Sequence, residues 1–144
     1  MDPIYSTVKD VHGSFRWVVL ALAVLSIVDF AMGWIRKKNF GRLDNTLSLL
    51  YMIACDLQLM LGLTLYFFLS PTTQNALQFG TSQFSDPKVF FFAVEHPATM
   101  ILGIACAHIG RVVSKKATTD ESKFKRGAIW FALSLILILA RMPW

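Results

Sequence analysis

Residues 17–34 read Trp-Val-Val-Leu-Ala-Leu-Ala-Val-Leu-Ser-Ile-Val-Asp-Phe-Ala-Met-Gly-Trp. The stretch carries one charge, Asp29, and is bracketed by Trp17 and Trp34. A hydrocarbon core about 30 Å thick needs roughly 20 mostly apolar residues to cross it as a helix. Tryptophan collects where lipid meets water, because its ring is apolar and its N–H needs a polar partner. The stretch therefore predicts a transmembrane helix, and similar runs follow it. Residues 47–69 hold only Asp56, and residues 89–110 hold Glu95, His96 and His108. Residues 127–144 are interrupted by Arg141 alone. The predicted fold is all-α, a four-transmembrane-helix bundle. A single integral membrane domain covers residues 1–144, with spans at about 15–35, 46–69, 88–111 and 126–143.

Composition agrees. Of 144 residues, 55% are hydrophobic and only 16% charged, where a soluble domain carries about 25% charged residues. Mean hydropathy is +0.53. Cys55 and Cys106 lie inside apolar runs and form no CxxC pair, so they read as buried, inert thiols. Asp2, Lys9 and Asp10 precede the first run and no small-residue cleavage site follows it, so that helix is expected to be retained.

The charges set an orientation. Arg36, Lys37, Lys38 and Arg42 flank one loop; Arg111, Lys115, Lys116, Lys123, Lys125 and Arg126 flank another. These are ten of the fourteen basic residues, leaving Lys9, Arg16, Lys88 and Arg141 on the opposite side. The positive-inside rule puts the two basic loops in the cytoplasm and both termini outside. The net charge of +5 is thus a topology and lipid-headgroup signal, with no reason to expect nucleic acid as a partner. Helix starts are marked by Asp44, by Asp86 before Pro87, and by Thr118 with Glu121 as a capping box.

Ionisable groups at membrane depth are costly unless paired or facing a cavity, so they carry the functional question. They are Asp29, Asp56, Glu95, His96 and His108, with His12 and Arg16 one turn apart at the outer edge. Spread over three helices, the five are expected to form a loose polar ladder facing the bundle interior. Pro97 follows Glu95-His96 directly and should disturb the helix near Ala93. Counting from the basic loops, His12 lies about 36 Å above Arg36 and His96 about 22 Å above Arg111. That count separates the two histidines in depth.

An ordered set of short motifs runs along nearly the whole chain. They are His12-Gly-Ser-Phe-Arg16-Trp17, Asp44-Asn45, Gln58-Leu-Met-Leu-Gly62-Leu-Thr-Leu-Tyr66, Glu95-His96, Lys123-Phe124-Lys125 and Ala128-Ile129-Trp130-Phe131. In these the chain resembles short four-helix bacterial membrane proteins labelled cytochrome b-like. It departs at Asp56, where such proteins often have a histidine. The resemblance implies haem b held by histidines, with His96 and His12 as candidate iron ligands. Arg16 would then be a propionate partner and Glu95 a group orienting an imidazole. It also implies a place in the bacterial inner membrane.

Three functions stay open on the sequence. The first is haem-mediated electron transfer within or to a membrane complex, without substrate chemistry of its own. The second is a cofactor-free or pigment-contacting accessory subunit of a larger respiratory or photosynthetic membrane complex. The third is a proton or ion path along Asp29, Asp56, Glu95, His96 and His108. Nucleotide loops, zinc spacings and nucleophile–base arrangements are missing from the sequence.

Overall fold

The computed structural model describes residues 2–144, which form five helices and, among the described residues, no strand. Helix α1 is Pro3–Ile35, α2 Arg42–Leu69, α3 the short Pro71–Phe79, α4 Pro87–Lys116 and α5 Asp120–Ala140. Three of them, α1, α2 and α4, are long and apolar enough to cross a membrane. Helix α5 falls short of the same measure because Lys123, Lys125 and Arg126 occupy its first turns. The four long helices pack as a ring: α2 and α5 each lie against both α1 and α4, which face each other across the middle.

Helix ends differ in detail from the expected ones. Asp2 caps α1, its Oδ1 accepting from the Ile4 N–H at 2.9 Å, so α1 begins well before residue 15. Helix α2 is capped by Gly41, and Asp44 sits inside its first turn, where its Oδ2 accepts from the Gly41 N–H at 2.7 Å. Asp86 caps α4 as expected, with Pro87 at the first helical position. Thr119, one residue later than expected, caps α5 by accepting from the Ser122 N–H. Helix α1 ends with Lys37 at φ 52° and the Lys38 N–H donating back to the Gly33 carbonyl. That is the wrapped ending that usually calls for glycine.

The core is aromatic and depends on glycines. Phe30 meets Phe124 and Phe131 edge to face, with centroids 5.6 and 5.1 Å apart, and Tyr51 meets Phe131 at 5.6 Å. Edge-to-face packing sets the positive ring edge against the negative face of its neighbour. A Cβ at Gly33 would strike the Phe124 ring and one at Gly127 the Phe30 ring, so both glycines make room for the cluster. A buried chain of hydrogen bonds ties three helices together. The Tyr51 hydroxyl meets Ser134 Oγ at 2.8 Å, and Ser134 donates to the Gly103 carbonyl at 2.6 Å. Cys55 and Cys106 are both buried and unpaired, in line with the sequence reading.

Candidate functional site

His12 on α1 and His96 on α4 come together across the ring, with imidazole centroids 6.4 Å apart and planes at 84°. The depth separation counted from the sequence is therefore corrected. Arg111 does not end the helix: α4 continues to Lys116. Arg111 is itself buried, its Nη1 donating to the Asn45 carbonyl at 3.0 Å and to Ser48 Oγ at 2.6 Å. Counted from Lys116, His96 rises about 30 Å, close to the height of His12.

Helix α2 builds one wall of the site with three residues spaced four apart, which share one helix face. Gln58 donates through Nε2 to the His12 carbonyl at 2.9 Å. At Gly62 an added Cβ would lie 3.2 Å from His12 Cε1, so the glycine lets the ring approach closely. The Tyr66 hydroxyl donates to the Ala93 carbonyl at 2.9 Å. That carbonyl is the one Pro97 leaves without its helical N–H partner. Around it, Phe91–Glu95 widens into a π turn, the local adjustment expected beside Pro97.

His96 Nδ1 lies 2.8 Å from the Arg141 carbonyl, which can only accept. The proton is therefore on Nδ1, and Nε2 keeps its lone pair. Glu95 does not orient the imidazole, contrary to expectation. Its Oε1 lies 3.5 Å from Arg141 Nη2, so it anchors the chain end whose carbonyl does so. Arg16 Nη1 donates to the Pro143 carbonyl at 2.6 Å, while its Nε is buried without a partner. His12 Nδ1 is likewise buried and unpartnered. Both arginine heads thus fasten residues 141–143 over the site.

The two rings border a cavity of about 850 Å³, lined also by Arg16, Gln58, Gly62 and Tyr66. Cofactor pockets span about 300–1,000 Å³. The sequence singled out both histidines and Arg16. It missed the roles of Gln58, Gly62, Tyr66 and Arg141, although the four-residue spacing of the first three was the signal for a shared face.

The remaining polar groups do not form the expected inward ladder. Lys38 Nζ lies 3.2 Å from Asp29 Oδ1 and also bonds Asp44, below the core. The Asp44 hydrogen bond pushes the Lys38 ammonium pKa up. His108 Nε2 pairs with Asp56 Oδ1 at 2.7 Å, and both side chains are more than 40% exposed on the outer surface. The hydrogen bonds among the described residues join neither pair to the Glu95–Arg141 pair. Nor do three or more His, Cys, Asp or Glu side chains gather there into a metal site. No family model, curated protein or solved structure matches this chain.

Proposed function

We propose that this chain is a b-type haem protein of the bacterial inner membrane that passes electrons to or from a membrane complex. In this reading α5 is the fourth span, both termini lie outside, and His12 and His96 would hold the haem iron. The observation that carries it is the 6.4 Å separation of the two imidazoles across the bundle. Two imidazoles this close, on separate helices, could both serve one haem iron.

The surrounding residues fit such a group. His96 carries its proton on Nδ1, leaving Nε2 as the ligating nitrogen, and the Arg141 carbonyl fixes the ring. Gly62 gives His12 its place, and the unpartnered Arg16 Nε on the cavity wall suits a propionate carboxylate. Glu95 and Arg141 act as positioning residues. Haem bound there would supply reversible one-electron transfer.

The test is a reduced-minus-oxidised visible spectrum of the purified protein, followed by His96→Ala. The wild type is expected to show a haem band, and the variant to lose it while remaining folded in the membrane. A wild type without the band, expressed with haem supplied, overturns the proposal.

A second reading, the cofactor-free or pigment-contacting accessory subunit, draws support from the Asp56–His108 pair on the outer surface. Polar side chains there suit contact with another membrane protein. The proton-path reading has less behind it, since the polar groups sit in separate pairs.

A further inference from the structure

Asp56 lies midway along α2, about 21 Å from Arg42 at the cytoplasmic end. It is therefore at the depth of the hydrocarbon core. Its partner His108 reaches it from α4, and the two side chains remain 44% and 42% exposed. Around them the surface is apolar: Ile53, Leu57 and Met60 on α2, and Ile101, Ile109 and Val112 on α4, are all exposed. Lipid tails offer such a pair no hydrogen bonds, and ionisable groups at this depth face protein or a water-filled cavity.

We propose that this α2–α4 face is where two copies of the chain pair about a two-fold axis along the membrane normal. Depth supports a second copy over an unrelated subunit. Two copies inserted in the same direction carry Asp56 and His108 at the same height, so a two-fold axis beside the pair sets each against its counterpart. Chemistry supports it as well. The internal bond uses His108 Nε2 and Asp56 Oδ1, leaving His108 Nδ1 and Asp56 Oδ2 for other partners. An imidazole N–H and a carboxylate oxygen are complementary, so the exposed pair is complementary to itself. With His108 as imidazolium and Asp56 as carboxylate, both ring nitrogens donate, and each His108 Nδ1–H would donate to the other copy's Asp56, closing a ring of four side chains without net charge in an apolar interface. The ring stands apart from the His12–His96 site and does not depend on haem.

Cysteine at Leu57, exposed beside Asp56, tests the face directly in native membranes. Oxidative cross-linking is expected to give a disulfide-linked dimer through Leu57→Cys and none through Leu133→Cys on the exposed face of α5. The wild type, whose two cysteines are buried, is the control. In vesicles, energy transfer between labelled copies should report dimers, and Asp56→Leu with His108→Leu should weaken association at least tenfold. Three results would overturn the proposal: a monomeric wild type in vesicles, cross-linking through Leu133→Cys instead of Leu57→Cys, or unchanged association in the double variant. Capture of a different subunit on the α2–α4 face, with no pairing of copies, would do the same.

Discussion

At the scale of single residues, small groups shape the His12–His96 site. Gly62 is the clearest case, because a Cβ there would crowd His12 Cε1 at 3.2 Å. Valine there puts two methyl groups against an imidazole already held through its own carbonyl by Gln58. Overpacking of this kind costs about 1–3 kcal/mol when neighbours cannot retreat. Gly62→Val is therefore expected to displace His12 and, on the haem reading, to lower the haem content of the purified protein. Met60→Val, on the exposed face of the same helix, is the control. Equal haem content in both variants would show that the close approach of Gly62 and His12 is unimportant.

Among the elements, α4 shows how a local defect is compensated by a neighbour. Pro97 removes one N–H from the helix, and Tyr66 of α2 supplies the missing donor to the Ala93 carbonyl. A lost hydrogen bond that leaves a buried carbonyl unpaired costs about 1–3 kcal/mol. Tyr66→Phe should destabilise the protein by about that amount, measured by unfolding in mixed detergent micelles. The effect should shrink in a Pro97→Ala background, where the restored backbone N–H can serve the same carbonyl. A double-mutant cycle measures the difference as a coupling energy. Additive effects would mean that Tyr66 and Pro97 do not share this carbonyl.

For the molecule as a whole, the prediction is orientation. The α1–α2 and α4–α5 connections lie at the same end of the helix ring, and ten of the fourteen basic residues lie in them or in the adjoining two turns of helix. Cysteines placed at Lys37 and Lys116 should resist a membrane-impermeant thiol reagent in intact cells and react once the cells are opened. A cysteine at Lys9, near the opposite end, should react without opening. The reverse pattern would invert the topology and put the His12–His96 site on the cytoplasmic side.

Apolar run length was enough to locate the four long helices, because the period and extent of hydrophobic residues are local properties. Pro97 likewise announced the irregular turn of α4, since the loss of its N–H needs no tertiary context. The short helix α3 was less legible, being nine residues in a segment that reads as a loop. Partners were decided only by tertiary structure. Arg111 looked like a loop cation and is a buried donor to α2; Asp56 and His108 looked like interior groups and lie on the surface. The meeting of His12 and His96 depended on how far α4 runs past Arg111 and on which helices oppose each other. Neither is encoded within any one segment: both follow from how the aromatic core and its glycines let the helices approach.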